Sequence, residues 1–240
     1  MSAPGGLAIV TGSSGGLGSA TVEALAGEGW RVAALDVNLD GTPTETGSIF
    51  PFAVDVTDSA SVETGVSQII EDHGPPLALV NIAGTNRISS LSETSDDLWD
   101  YLIDLNLKGT FICCRTVVPH MKANGGGRII TMSSIFGIRG EANEVAYSAA
   151  KAGIIGLTRA LATELAPDGI SVNALAPVMT LTERVAGLPD EFKALQLSKI
   201  PLGRYGTVDD VVNTVMFLLS DGGGFYSGQV FSANGGDTMA

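Results

Sequence analysis

The sequence predicts an α/β protein with a doubly wound parallel sheet of seven strands and helices on both faces, forming a single domain over residues 1–240. Three observations support this fold class. Short apolar runs alternate with longer helical segments, the runs are apolar throughout rather than at every second residue, and no repeat or low-complexity linker divides the chain. Strands that helices cover on both faces are uniformly apolar, and strand–helix alternation is typical of parallel sheets.

The predicted strands are short and rich in valine, isoleucine, leucine and alanine, as buried strands are. They cover residues 7–11, 31–36, 50–56, 77–83, 128–134, 170–176 and 229–233. Helical patterns fill the intervals, over residues 16–28, 59–72, 96–107, 108–122, 147–166 and 208–219. The segment 181–202 precedes the last helix, and we expect it to form a lid over the substrate, since loops on a rigid scaffold commonly carry specificity.

Composition excludes several classes of protein. The net charge of −13 and the lack of a basic run oppose nucleic-acid binding, which needs clustered lysine and arginine. No signal peptide and no apolar run long enough to span a membrane is visible, so we expect a cytoplasmic protein. Cys113 and Cys114 are adjacent in an apolar stretch and are expected to be buried, reduced thiols. No spacing of metal ligands occurs, so no metal site is expected.

Two predicted helices are apolar on every face. Residues 147–165 contain only three charged side chains, and residues 105–121 are similar. A helix that is apolar all round is covered on both sides, and the sheet covers one of them. We therefore expect a homo-oligomer formed through these helices, with a tetramer favoured over a dimer.

A glycine-rich turn follows the first predicted strand. Gly12, Gly16 and Gly18 lie between that strand and the helix that begins near residue 16. The bare glycine pattern has little weight in a chain this rich in glycine, but its position between a strand and a helix is informative. Backbone N–H groups at the helix start can bind a pyrophosphate, and the missing side chains allow it to approach.

Asp36 ends the second predicted strand, eighteen residues after Gly18. A carboxylate at this position can accept hydrogen bonds from the ribose hydroxyls of a dinucleotide, and it would repel a 2′-phosphate. No lysine or arginine lies in the glycine turn or just after Asp36 to attract that phosphate. The expected cofactor is therefore NAD(H) rather than NADP(H).

Ser134, Tyr147 and Lys151 form the most informative pattern in the chain. The serine precedes the tyrosine by thirteen positions, and the lysine follows it by four. Positions i and i+4 share a helix face, so the phenol and the ammonium can enter one site. A nearby positive charge favours the phenolate, and a serine hydroxyl within reach can hold a substrate oxygen. This combination is suited to proton transfer at a carbon-bound oxygen near neutral pH.

With these motifs the chain resembles the short-chain dehydrogenase/reductase family, in its compact single-domain form with a Rossmann-type fold, over about residues 7 to 236. The resemblance implies a set of cofactor-binding residues. They are Gly12, Ser14, Gly16, Leu17, Gly18, Asp36, Asp55, Val56, Asn81, Ala83, Gly84, Tyr147, Lys151, Pro177 and Thr182. It also implies the catalytic residues Ser134, Tyr147, Lys151 and Asn106, with Asn106 holding a water of the proton relay.

Three positions depart from the family pattern. Ile82 replaces the second asparagine of the Asn-Asn-Ala-Gly segment, and Ala150 replaces a frequent serine before the lysine. Val178 replaces the glycine that usually follows Pro177. Valine restricts the backbone and adds bulk, so Val178 is expected to narrow the nicotinamide pocket or to change the course of the following loop.

The resemblance implies hydride transfer between a nicotinamide and a substrate carbon. The main expectation is an NAD-dependent dehydrogenase of a secondary alcohol, or reductase of the matching ketone. A second possibility is a 3-oxoacyl thioester reductase acting on an acyl carrier protein or coenzyme A substrate, which Asp36 disfavours because biosynthetic reductases usually use NADPH. A third is a dinucleotide-binding sensor or scaffold without turnover, although such proteins typically lose the tyrosine or the lysine. Substrate contacts are expected after Gly84, after Ser134 and in the lid.

Overall fold

A computed structural model describes residues 5–182, 185, 187, 188 and 190–239. Its seven strands form one parallel sheet in the order β3-β2-β1-β4-β5-β6-β7. Their bounds are β1 Leu7–Thr11, β2 Arg31–Asp36, β3 Ile49–Ala53, β4 Ala78–Asn81, β5 Gly127–Met132, β6 Ile170–Leu175 and β7 Val230–Phe231. The predicted fold class and strand number are confirmed.

Helices connect the strands. The α-helices are α1 Gly16–Gly27, α2 Ser59–His73, α3 Asp96–Ile103, α4 Gly109–Ala123, α5 Ile135–Arg139, α6 Val145–Leu165, α7 Asp190–Ser198 and α8 Val208–Leu219. Within the described part of the chain, none of them combines the length and the apolarity that crossing a bilayer requires.

Hydrophobic cores lie on both faces of the sheet, which explains the uniform apolarity of the strands. On one face, Ile9 and Leu79 pack with Val117 of α4. On the other face, Val10 and Val80 pack with side chains of α1 and α8. Successive residues of one strand alternate between the two cores, so most positions of the strands are apolar.

The structure differs from the expected elements in several places. A π-helical turn, Asp104–Lys108, joins α3 and α4 where two adjacent helices were expected, because the chain continues with one wider turn. The short helices α5 and α7 lie in segments that were expected to be loops. The last strand has two residues, and β3 ends at Ala53 rather than at residue 56. Pro51 is tolerated in β3 because β3 is an edge strand.

The strand order reverses between β1 and β4, and this reversal locates the site. Residues after β1 continue outward through β2 and β3, whereas β4 lies on the other side of β1. In doubly wound sheets a crevice opens at the carboxyl ends of the strands at this point. Thr11 and Asn81, the last residues of β1 and β4, pair there.

Candidate active site

The glycine turn after β1 packs so tightly that two of its positions, Gly12 and Gly18, have no room for a side chain. Gly12 has a φ of 74°, and a Cβ there would lie 2.8 Å from the backbone of Ala83. A Cβ on Gly18 would lie 1.9 Å from the carbonyl oxygen of Gly12. Gly15 precedes α1 and offers no capping side chain, so backbone N–H groups at the start of α1 remain to bind a ligand.

A cleft of about 810 Å³ extends from this turn across the carboxyl ends of the strands. Most of the predicted cofactor residues line it, namely Gly12, Ser14, Gly16, Leu17, Gly18, Asp36, Asp55, Val56, Ala83, Gly84, Tyr147, Lys151 and Thr182. Thr85, in the segment after Gly84 where substrate contacts are expected, also lines the cleft. The wall further contains residues that the sequence did not predict to be cofactor-binding, namely Gly15, Ser19, Val37, Gly41, Val54, Ile82, Leu105 and Met132. Apolar wall residues such as Leu105 and Met132 have no motif, because their exposure to a cleft depends on the packing around them.

Asp36 lies in the wall of the cleft and is tied to the glycine turn. Its Oδ2 accepts hydrogen bonds from the backbone N–H of Ser14 at 3.0 Å and from the Ser14 hydroxyl at 2.7 Å. Its Oδ1 accepts a weaker one from the backbone N–H of Asn38 at 3.3 Å. These contacts hold a negative charge beside the turn that would bind phosphate groups.

Tyr147 and Lys151 enter the cleft from one face of α6. The Lys151 Nζ lies 5.4 Å from the centroid of the Tyr147 ring. The lysine side chain is buried, and its Nζ donates a hydrogen bond of 2.8 Å to the carbonyl oxygen of Met132 at the end of β5. The Ser133 hydroxyl donates to the carbonyl oxygen of Lys151 at 2.8 Å. These bonds fix α6 against the end of β5.

Ser134 lies between β5 and α5 and caps the start of α5. Its Oγ accepts a hydrogen bond of 3.2 Å from the backbone N–H of Phe136, as a helix-capping serine does. The hydroxyl hydrogen can then be donated to another oxygen. Ser134 is 9% exposed and does not lie in the wall of the cleft.

Asn106 lies at the centre of the π-helical turn and is fully buried. Its Nδ2 donates hydrogen bonds of 2.9 Å to the carbonyl oxygens of Thr85 and Leu102. Its Oδ1 accepts none from any described protein group. A Cβ on Gly84 would lie 2.5 Å from this oxygen and 3.3 Å from Lys151 Nζ, so the glycine leaves a space that both groups border. π-turns occur often at functional sites.

Asn81 and Pro177, two predicted cofactor residues, do not lie in the wall of the cleft. Asn81 is buried, and its Nδ2 contacts the Cys114 sulfur at 3.5 Å. The Pro177 carbonyl oxygen accepts a hydrogen bond from the backbone N–H of Ile135 at 3.2 Å. Both residues connect elements behind the cleft.

Val178 is 5% exposed and packs in a small apolar cluster with Ile135 and Ile200. Phe136 and Tyr205 lie against the same cluster. The valine side chain is therefore part of the apolar packing between α5 and the segment after α7.

The thiols of Cys113 and Cys114 are unreactive at neutral pH. Burial raises the pKa of Cys113, and the neighbouring Cys114 raises it further. Burial also raises the pKa of Cys114, to about 12, although the hydrogen bond from Asn81 acts in the opposite direction. Both thiols stay protonated at neutral pH and are unsuited to be nucleophiles.

Comparison with known proteins identifies the family. A family model described as enoyl-(acyl carrier protein) reductase matches residues 12–238. The 3-oxoacyl-[acyl-carrier-protein] reductase FabG of Thermotoga maritima is 37% identical over 98% of this chain and 99% of its own. The chain belongs to the short-chain dehydrogenase/reductase family.

Two further relatives agree with this membership of the short-chain dehydrogenase/reductase family. The (2S)-[(R)-hydroxy(phenyl)methyl]succinyl-CoA dehydrogenase subunit BbsD of Thauera aromatica is 37% identical over 97% of this chain and 96% of its own. The crystal structure of gox2181 superimposes with a TM-score of 0.90 at 30% identity, covering 97% of this chain and 95% of the other. The protein is therefore an oxidoreductase of a family that uses a nicotinamide cofactor.

The cleft fits such a cofactor. Gly12 and Gly18 leave no room for a Cβ, and no side chain caps the backbone N–H groups at the start of α1. Asp36 lies at one end of the cleft and Tyr147 with Lys151 at the other. A Cβ on Gly16 would lie 3.5 Å from Thr182 Cγ2, so the segment after β6 covers the turn.

Proposed function

We propose that this protein is an NAD(H)-dependent oxidoreductase that interconverts 3-hydroxyacyl and 3-oxoacyl thioesters. One observation carries the proposal: a single cleft joins the Asp36 carboxylate at the cofactor end to Tyr147 and Lys151 at the reacting end. The Asp36 carboxylate supports the choice of NAD(H) as cofactor, and the pair of Tyr147 and Lys151 supports proton transfer at the substrate oxygen. The names of the relatives support the substrate class.

Preference for NAD(H) rests on the charge of Asp36. Its two oxygens are already oriented by Ser14 and Asn38, so the carboxylate cannot easily turn away from a bound ribose. A ribose hydroxyl can donate to it, whereas a 2′-phosphate would meet a like charge at short range.

Tyr147 is proposed to move the proton. When an alcohol is oxidised, the phenolate accepts the hydroxyl proton, and when a ketone is reduced, the phenol returns it. The Lys151 ammonium beside the ring stabilises the phenolate and can also bind the ribose next to the nicotinamide. Ser134 donates its hydroxyl hydrogen to the substrate oxygen. A bound nicotinamide supplies the chemistry that side chains lack, by accepting or donating the hydride.

Asn106 is proposed to connect Lys151 with solvent. A buried carbonyl oxygen without a protein donor is commonly satisfied by water. The Asn106 Oδ1 and the Lys151 Nζ border the same space beside Gly84. A water bound there can pass protons toward the lysine and the tyrosine.

The thioester assignment combines two alternatives from the sequence analysis, a secondary-alcohol dehydrogenase and a 3-oxoacyl thioester reductase. FabG of Thermotoga maritima is named as a 3-oxoacyl reductase, and BbsD of Thauera aromatica as a dehydrogenase of a hydroxylated acyl-CoA. A 3-hydroxyacyl thioester is itself a secondary alcohol. Dependence on NAD(H) favours the oxidative direction with such a substrate.

The substrate is proposed to enter beside Ser134 and beneath the lid over residues 181–202. Thr85 lies in the cleft wall, and Phe136 and Val178 provide apolar packing near Ser134. Residues 183, 184, 186 and 189 of the lid lie outside the described residues, and α7 forms most of its second half.

A homo-tetramer is proposed because the protomer has two separate apolar faces. One combines Phe111 of α4, 43% exposed, with exposed small residues of α6 such as Ala152 and Ala160. The other contains Phe217, Tyr226 and the fully exposed Phe225. Two different faces that each pair about a two-fold axis generate a tetramer rather than a dimer.

The assembly is proposed to work in the cytoplasm, where the thiols of Cys113 and Cys114 stay reduced.

The deciding experiment measures NADH formation with 3-hydroxyacyl thioesters of coenzyme A and of acyl carrier protein. Matched samples contain the free 3-hydroxy acids, simple secondary alcohols, and NADP⁺ in place of NAD⁺. We expect the highest kcat/KM with a thioester and NAD⁺. Faster turnover of a simple alcohol would restore the broader secondary-alcohol function, and preference for NADP⁺ would refute the cofactor assignment.

A further inference from the structure

A chain of side-chain contacts connects the C-terminal tail with the catalytic tyrosine. The Phe136 and Tyr147 rings meet edge to face, with centroids 6.4 Å apart and planes at 88°. The Arg139 guanidinium carbon lies 5.3 Å from the centroid of the Phe136 ring. Arg139 Nε donates a hydrogen bond of 2.9 Å to the Asp237 Oδ1. Each contact involves a different pair of groups, and together they link Asp237 to Tyr147.

Asp237 lies after β7 and is well enclosed. Its side chain is 1% exposed. The Asp237 backbone N–H donates to the Asn234 carbonyl oxygen at 3.1 Å, and the Thr238 hydroxyl donates to the Asp237 Oδ1 at 2.8 Å. Asn234 Nδ2 in turn donates to the Thr238 carbonyl oxygen at 2.6 Å. The tail is thus folded into a turn that presents one carboxylate to Arg139.

The opposite side of Arg139 is also held. Its Nη1 forms an ion pair with Glu141, and Glu141 accepts two further hydrogen bonds, of 2.9 and 3.0 Å, from Lys199 Nζ. Two cations and two carboxylates balance one another in this cluster, which consists of Arg139, Glu141, Lys199 and Asp237. The carboxylates of Glu141 and Asp237 are both largely removed from solvent. Because each of them pairs with Arg139, loss of either would leave the guanidinium incompletely paired. The cluster therefore holds the guanidinium in one place over the Phe136 ring.

We propose that Arg139 is a positioning residue for Tyr147, acting through the Phe136 ring, and that the C-terminal tail holds Arg139 in place through Asp237. The Arg139 guanidinium over the Phe136 ring and the Tyr147 ring perpendicular to it restrict Phe136 through two separate contacts. The placement of the Tyr147 hydroxyl then depends on the carboxylate of Asp237, in the segment after β7. This proposal rests on the acid–base role proposed for Tyr147.

The test compares Asp237→Asn, Arg139→Lys and Phe136→Leu with the wild-type enzyme. Asp237→Asn keeps the shape of the side chain and removes its charge. Arg139→Lys keeps a positive charge but removes the planar group that stacks on the ring. Lys122→Gln is the matched control, because it removes the 2.7 Å ion pair with Asp168 at the far end of α4.

Two readouts separate positioning from mere stability. The first is steady-state kinetics. Displacing a reacting group by about 1 Å can lower the reaction rate by about 100-fold. We therefore expect kcat to fall by about tenfold or more, while the Kd for NADH stays unchanged. The second is an ultraviolet titration of the Tyr147 phenol, obtained by subtracting the curve of Tyr147→Phe. We expect its pH midpoint to move in all three variants and to stay in place in Lys122→Gln.

The outcomes are distinguishable from failure of the proposed function. The phenol titration needs no substrate, so it tests the positioning role even if no thioester is turned over. Variants that keep kcat within about twofold and titrate as the wild type would overturn the proposal, even if they melt at a lower temperature. Should one variant not fold, the other two acting on the same contacts decide the result.

Discussion

Gly84 and Asn106 approach each other so closely that a methyl group on the glycine would lie 2.5 Å from the Asn106 side-chain oxygen. The two residues come from different elements, the segment after β4 and the π-helical turn. Lys151 Nζ borders the same space at 3.3 Å. The absence of a side chain at position 84 is therefore part of how the lysine and the asparagine share one site.

Substituting Gly84→Ala is expected to close this space and to impair proton transfer. A contact of 2.5 Å must be relieved, and the buried Asn106 has little freedom to move. We expect kcat to fall by about 100-fold, the lower range of general acid–base contributions. Gly27→Ala is the control, because a Cβ there meets nothing within 4 Å. Equal kinetics for the two variants would exclude a role for the space beside Gly84.

Substituting Tyr147→Phe is expected to remove most turnover and to preserve cofactor binding. The ring remains to pack against Phe136 and Lys151, and only the hydroxyl is lost. The expected decrease in kcat is about 10²- to 10⁴-fold, with the Kd for NADH from fluorescence titration little changed. Tyr101→Phe, on the exposed face of α3, serves as the comparison. Turnover within about tenfold of the wild type would remove Tyr147 from the mechanism.

Replacing Asp36→Ala together with Val37→Arg is expected to shift preference toward NADP(H). Removing one like-charge contact at about 4 Å changes the binding free energy by about 1 kcal/mol or more, so the NADPH/NADH ratio of kcat/KM should rise by at least about fivefold. Asp36→Asn tests the charge alone while it preserves the shape near Ser14. Asp40→Asn, in the exposed segment nearby, should leave the ratio unchanged. An unaltered ratio in the double variant would show that other groups choose the cofactor.

The Glu141 ion pairs should make the protein sensitive to acid. Burial alone would raise the pKa of Glu141, but hydrogen bonds and charge from Lys199 and Arg139 outweigh it and lower the pKa. A carboxylate with a lowered folded-state pKa contributes stability above its unfolded pKa and loses it as the pH falls through the folded one. The free energy of urea unfolding of the wild type should therefore exceed that of Glu141→Gln at about pH 6, and the difference should shrink toward about pH 3. A constant difference would show that the charge of Glu141 is not what stabilises the cluster.

Substitutions should disrupt the two proposed subunit interfaces independently of each other. Ala152→Glu places a charge on the exposed face of α6, and Phe225→Asp places one on the aromatic face. Burying an unpaired charge in an interface is unfavourable, so each variant should reduce a tetramer to a dimer in sedimentation velocity, and the double variant should be a monomer. Ala60→Glu on α2 is the matched control. A wild-type monomer at micromolar concentration would refute the assembly.

Local patterns were sufficient to predict most of the scaffold, and together with the family resemblance they predicted more than half of the residues that line the cleft. The apolar runs revealed the strands because each is buried on both faces, and the four-residue spacing of Tyr147 and Lys151 placed them on one face of α6 because a helix turns every 3.6 residues. The same periodicity did not reveal the π-helical turn, since one extra residue in a turn leaves no sign in hydrophobicity. It also missed α5 and α7, which are short and whose place depends on what they pack against.

By itself, the sequence determined the fold class, the glycine turn, the acidic end of the second strand and the pairing of tyrosine with lysine, because each depends on neighbours a few residues apart. Only the tertiary structure decided that Asn106 lies beside Gly84, that Phe136 touches Tyr147, and that Arg139 bonds to Asp237, ninety-eight positions away. Contacts between distant residues follow from how complete elements pack in three dimensions, and no short-range pattern of residue types records that packing.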